Sequence, residues 1–143
     1  MTPLHPNFWL GADQFNNREF YACHDTFEAI WMETLDDRTF YQGLLQIAVA
    51  LYHLSNLNWQ GATTLLGEGT GRLRPYLPEY EGIDVAQVCE QAQAILARLY
   101  ADGKPAVAQS AAAVIGLVST DPTEKPALSG TLPLPKIRKV AES

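Results

Sequence analysis

The run from Phe40 to Tyr52, FYQGLLQIAVALY, permits few folds, because at helical spacing it is apolar on nearly every side. Phe40, Tyr41, Leu44, Leu45, Ile47, Ala48, Val49, Leu51 and Tyr52 cover most of a helical wheel. A helix of that kind belongs in the middle of a bundle, and its neighbours must be amphipathic helices that cover it. The chain supplies them on both sides. Upstream, Phe20, His24, Phe27, Glu28, Trp31 and Leu35 follow the i, i+3, i+4, i+7 spacing of one face, in a helix read from Arg18 to Leu35. Asp36-Asp37 separates the two, and one of these aspartates is expected to cap the central helix, Arg38 to Leu57.

Downstream, Asn58 reads as the cap of a helix whose inner face is Ala62, Leu65, Leu66, Gly69, Leu73 and Tyr76. Gly67, Gly69 and Gly71 each weaken that helix by roughly 1 kcal/mol against alanine, so Gly69, on the inner face, reads as a close-approach site. Pro75 to Ile83 is expected as a loop. Asp84 then caps a helix with Val85, Val88, Cys89, Ala92, Ile95, Leu96 and Leu99 on one face, ending at Asp102-Gly103. Leu10 to Asn16 adds two turns at the start. The fold class is therefore all-α: a compact bundle of about five helices arranged as helical hairpins in residues 1–103, followed in 104–143 by an Ala-rich segment and a Pro-rich extended C-terminal tail. In that second part Ala106 to Val118 reads as a short helix, and Pro122, Pro126, Pro133 and Pro135 favour extended chain.

Charge and composition exclude several roles. The net charge is −6, and it is uneven: residues after Glu124 hold four basic residues against Glu142, whereas residues 1–124 hold six basic against fifteen acidic, a net of −9. So negative a body repels phosphate backbones, and nucleic-acid binding is not expected unless the tail does it alone. No apolar run approaches the ~20 residues of a membrane span, and no basic region precedes an apolar one as in a secretory leader. Cys23 and Cys89 lie far apart within helical patterns, which suits small core residues in a reducing compartment. A cytoplasmic protein is the expectation.

The polar residues set into this apolar frame are the candidate site. His24 lies in the middle of its apolar stripe with Glu28 one turn on, and Asp25 about a quarter-turn away. On the central helix Gln42, Gln46 and His53 stack on one line. Ionisable groups on an apolar face must find partners or stay wet. The favoured reading is a structural His/Glu/Gln network between helices, with His24 and Glu28 in reach of Gln46 or His53, and with Trp31 and Tyr52 packed around it. The alternative is a metal site with His24, Glu28 and His53 as ligands. No metal and no cofactor are expected, since helical carboxylate sites usually carry more carboxylates and Gln is a poor ligand. No Gly-rich phosphate loop or nucleophile elbow occurs.

The run FNNREFYACHDTFEAIW, followed by FYQGLLQIAVALYHLSNLNWQGATTLL, resembles the family catalogued as domain of unknown function 309. The matching positions are Phe15, Asn16, His24, Asp25, Glu28, Trp31, Gln42, Gly43, Gln46, Ala48, Tyr52, His53, Asn58, Gly61 and Ala62, within roughly residues 13–100. The resemblance implies a compact all-helical bundle and carries no activity. Where the family's turn commonly has Gly this chain has Arg18, so Asn17 is expected to supply the left-handed residue. Taken together, these features favour a non-enzymatic interaction or assembly module, with self-association or an unknown protein partner, reached through the tail after Gly130. The alternative is a small metal-dependent hydrolase or small-molecule-binding protein at the His24/Glu28/His53 seam.

Overall fold

The hydrophobic pattern folds as helices that each bury one stripe, and a computed structural model describes residues 4–115 and 132–140 of the chain. The helices are α1 (Phe8–Asn16), α2 (Phe20–Glu33), α3 (Arg38–Ser55), α4 (Trp59–Leu73), α5 (Val85–Asp102) and α6 (Val107–Ile115). Short 3-10 turns cover Arg74–Tyr76 and Lys104–Ala106. α3 is the axis of the bundle: it packs chiefly on α4 and α2, while α1 lies on α2, and α5 on α4. One core runs through all six helices and includes Phe8, Phe15, Phe27, Phe40, Tyr41, Leu44, Ile47, Leu51, Leu66 and Ile95. The all-helical fold read from the pattern is the one the chain adopts.

Two helices cross closely where glycine permits it. A Cβ on Gly43 would stand 2.7 Å from the Leu73 side chain, and one on Gly69 2.8 Å from Ile47 and 2.9 Å from the Gly43 carbonyl. The missing side chains let α3 and α4 approach backbone to backbone, which is the role expected of Gly69. At Gly67 and Gly71 no atom of the described residues lies near enough to give such a reason.

The turns differ from the sequence reading in instructive ways. α1 ends with Glu19 N–H bonded to Gln14 O (2.9 Å) and Arg18 N–H to Phe15 O (3.1 Å), the two bonds of a Schellman cap. The left-handed residue is Arg18 itself, at φ 65°, and Asn17 keeps φ −92°. The expectation for Asn17 is thus corrected: the position one past the cap must turn left-handed, whatever residue stands there. α3 closes in the same way, with Asn58 N–H to His53 O (2.8 Å) and Leu57 N–H to Leu54 O (2.9 Å). Leu57, expected inside the helix, is left-handed at φ 59°. α2 likewise stops at Glu33, because Thr34 turns extended (ψ 147°) and its hydroxyl bonds Ile30 O, which leaves Leu35 in solvent.

Asp37 does not cap α3 through its side chain. Its buried carboxylate accepts instead from the Tyr80 hydroxyl at 3.2 Å, and the backbone N–H of His5 donates to the Tyr41 hydroxyl at 2.8 Å. Tyr80 arrives there on a hairpin, where the sequence pattern predicts a loop. β1 (Glu79–Tyr80) and β2 (Ile83–Asp84) form an antiparallel hairpin pairing Tyr80 with Ile83. Its turn residues, Glu81 and Gly82, are both left-handed (φ 50° and 81°), as a tight primed turn requires. Asn58 and Asp84 do cap as expected, accepting from Gly61 N–H and Gln87 N–H, each at 2.9 Å.

Residues 132–140 lie along the body. Lys139 pairs with Ile83 in an antiparallel bridge, and Leu134 and Ile137 are buried in the common core. The expected helix Ala106 to Val118 is present as α6 to Ile115. Its last positions, and the prolines at 122 and 126, lie outside the described residues. Among the described residues no helix is long and apolar enough to cross a membrane.

Candidate functional site

α3 is not apolar all round once it is packed. Its core side carries Phe40, Leu44, Ile47, Leu51 and Leu54, while Gln42, Leu45, Gln46, Val49, Tyr52 and His53 form a half-exposed outer strip. The polar line therefore runs along the rim of the bundle. Gln46 turns toward α4, where its Oε1 accepts from Arg72 Nε at 2.9 Å and its Nε2 donates to Glu68 at 3.2 Å. His53 is held by Asn58, whose Nδ2 lies 3.3 Å from Nδ1. Because Asn58 Oδ1 already accepts from Gly61 N–H, the amide presents its N–H₂ to the ring. His53 Nδ1 is then the acceptor and Nε2 carries the proton. Gly61 is needed beneath this ring, since a Cβ there would stand 2.9 Å from the imidazole carbons.

On α2 the spacing brings His24, Asp25 and Glu28 together. The two ring nitrogens of His24 face separate carboxylates, Nδ1 toward Asp25 at 3.2 Å and Nε2 toward Glu28 at 3.3 Å. The three can place one ligand atom each within 4.8 Å of one another, so the cluster that could hold a metal takes Asp25 in place of the His53 expected from the sequence. It is an open cluster: the side chains of His24, Asp25 and Glu28 are 32%, 63% and 46% exposed. No hydrogen bond among the described residues joins His24 or Glu28 to Gln46 or His53. Trp31, one turn further, packs against the core with Arg38 3.9 Å over its ring, and its buried Nε1 has no hydrogen-bond partner among the described residues. Gln42 is half-buried on the rim.

What does join α2 to α3 on this side is a cleft. A cavity of about 150 Å³ is lined by Phe20, Tyr21, His24, Val49, Tyr52 and His53. A second, of about 450 Å³, continues past Phe20, Tyr21 and Tyr52 toward Arg18 and Ser55. Tyr21 and Tyr52 stand with ring centroids 5.6 Å apart where the two meet, and His24 lies 6.1 Å from Tyr21. The two histidines thus share a wall without bonding. Tyr21 was missed in the sequence because it lies off the apolar stripe of α2. Its only signal was an aromatic side chain on a face otherwise polar.

The remaining reactive groups are quiet. Burial pushes the Cys89 thiol up to about 11 and Cys23 higher still, so neither is a thiolate near neutral pH. Burial, with the charge of Asp37 beside it, pushes Tyr41 up to about 12, so it remains a phenol. The two cavities are lined by imidazole and aromatic surface, together with the side chains of Arg18, Glu19 and Ser55.

Searches of curated proteins and of solved structures return no match to this chain. Residues 8–65, from the start of α1 into the second turn of α4, match the family model described as Domain of unknown function (DUF309), and this match supports the family resemblance that the segment carries.

Proposed function

We propose that the protein is a non-enzymatic interaction module and that the cleft between α2 and α3 is its contact surface. The observation that carries this reading is the Tyr21–Tyr52 pair, two large aromatic rings 61% and 37% exposed above an apolar floor. Rings in that position gain on the order of 25 cal/mol per Å² when a partner covers them, and tyrosine anchors keep a hydroxyl for the wet rim. The His24–Asp25–Glu28 cluster supports the same reading from the other side. General acid–base catalysis needs a group positioned toward a substrate, and both nitrogens of His24 are already directed at carboxylates of its own helix. One observation favours a second reading, a small-molecule site: His24 and His53 both stand on the wall of the smaller cavity.

The test is a double variant, Tyr21→Ser with Tyr52→Ser, used beside the wild type in affinity capture from cells that make the protein. A captured partner is then titrated against both by calorimetry. The reading predicts unchanged circular dichroism and at least tenfold weaker binding of the variant. Equal binding of wild type and variant removes the cleft as the contact surface. A small molecule that co-purifies with the protein and is lost on His53→Ala turns the reading to the second.

A further inference from the structure

The best-built peptide site in the molecule is the one its own C-terminal segment occupies. Residues 132–140, LPLPKIRKV, lie extended across the end of α1, the hairpin and α5. The Asn16 side chain grips the main chain of Ile137 at both ends: Ile137 N–H donates to Oδ1 at 2.8 Å, and Nδ2 donates to Ile137 O at 2.9 Å. A carboxamide placed in this way imitates the edge of a strand. Two residues on, the strand is real, with Asp84 N–H donating to Arg138 O and Val140 N–H to Gly82 O, each at 2.8 Å. Gln91 Oε1 accepts from Lys136 N–H at 3.0 Å, and the Lys136 ammonium reaches the Asn16 carbonyl. Leu134 and Ile137 fill apolar sockets, 6% and 1% exposed, and Lys139 lies 5.4 Å over the Trp9 ring. The groove reads an extended backbone with an apolar–Pro–Lys–apolar–basic pattern by strand addition.

We propose that this groove is a docking site for residues 132–140 of a second copy of the chain, so that two copies associate by exchanging tails. Five of these interactions are hydrogen bonds to main-chain atoms of the tail, and the others are apolar sockets and basic side chains. An identical segment from a neighbour therefore makes the same hydrogen bonds and fills the same sockets, which is the condition for exchange between protomers. The tail carries Lys136, Arg138 and Lys139 and the rest of the chain is acidic, so a tail and a body attract at a distance whichever copy each belongs to. This surface is separate from the α2–α3 cleft, and it stands or falls independently of that reading.

The bridge geometry supplies the test. The bonds flanking Ile83 and Lys139 make them a non-hydrogen-bonded antiparallel pair, with Cα atoms about 4.5 Å apart, a distance a disulfide spans. Full-length Ile83→Cys and full-length Lys139→Cys, differently mass-tagged, are mixed over a range of concentrations and oxidised. A mixed covalent dimer whose yield rises with concentration is expected. Asn16→Asp on the Ile83→Cys copy should lower that yield about tenfold by removing one donor and opposing two oxygens. The doubly substituted single chain must close an internal disulfide, which shows that the pair is competent and the variant folded. An internal disulfide without any mixed dimer overturns the proposal, since the tail then serves its own body alone. A dimer insensitive to Asn16→Asp, or no disulfide in either format, overturns it too. A photo-crosslinking residue at Lys139 in one copy, mixed with the untouched chain, gives the same reading without altering the core: cross-links to Trp9 or β2 of the other copy are expected, and their absence overturns exchange.

Discussion

A glycine in a helix is either a weakness or a requirement, and α3 and α4 hold both kinds within thirty residues of chain. Gly43 and Gly69 are required, because a methyl group on either would meet the opposing helix under 3 Å. Gly67 and Gly71 meet nothing among the described residues, so alanine there should add stability by reducing the freedom of the unfolded chain. Gly67→Ala and Gly71→Ala are expected to raise the unfolding free energy by about 0.5–1 kcal/mol each in urea titrations. Gly43→Ala and Gly69→Ala should lower it by about 1–3 kcal/mol through overpacking. A uniform effect of all four would mean that the helices do not cross at those points. The acid Glu28 belongs at this scale too. With its side chain 46% exposed, its contact with His24 is a surface pairing worth about 0–1 kcal/mol even when the imidazole is charged, far from the cost of a stranded buried charge.

Between elements, the junction of α5 and α6 is held by one carboxylate. Asp102 accepts from Arg98 Nε at 2.6 Å and from the buried Ser110 hydroxyl at 2.8 Å. These hydrogen bonds hold its carboxyl below the ordinary 3.8, those from Arg98 first and Ser110 second. A carboxyl whose folded value lies below its unfolded one stabilises the fold fully above the unfolded value and loses that contribution as pH falls through the folded one. Asp102→Asn should thus be less stable than the wild type at neutral pH, with the gap closing in strong acid. Chemical denaturation midpoints across that range check it; a gap that is constant or widens toward acid contradicts the linkage.

For the molecule as a whole, the tail completes the fold. Ile137 is 1% exposed and clamped by Asn16, whereas Arg138 beside it faces solvent. Ile137→Ala should cost about 2–4 kcal/mol, and Arg138→Ala less than about 0.5 kcal/mol. Similar thermal midpoints for the two variants would show the segment to be undocked in solution. Asn16 lies within the matched family segment, and its side chain bonds with a residue far beyond that segment.

The helices themselves were legible in the sequence, because each buries one stripe at a 3.6-residue period and the caps at Asn58 and Asp84 are local. Proximity of His24, Asp25 and Glu28 was legible for the same reason, since residues one turn apart on a helix share a face. What crosses between elements was not. Whether the Gln42–Gln46–His53 line faces α2, α4 or water depends on how α3 is rotated in the bundle, and that is decided by the Gly43–Gly69 crossing and by the sum of all its core packing. The Tyr21–Tyr52 pair, the bond from Tyr80 to Asp37 and the Asn16 clamp on Ile137 each join residues far apart in sequence. No local periodicity encodes such pairs. They exist only when the packed chain brings two surfaces together, so the tertiary structure alone decides both the cleft and the groove.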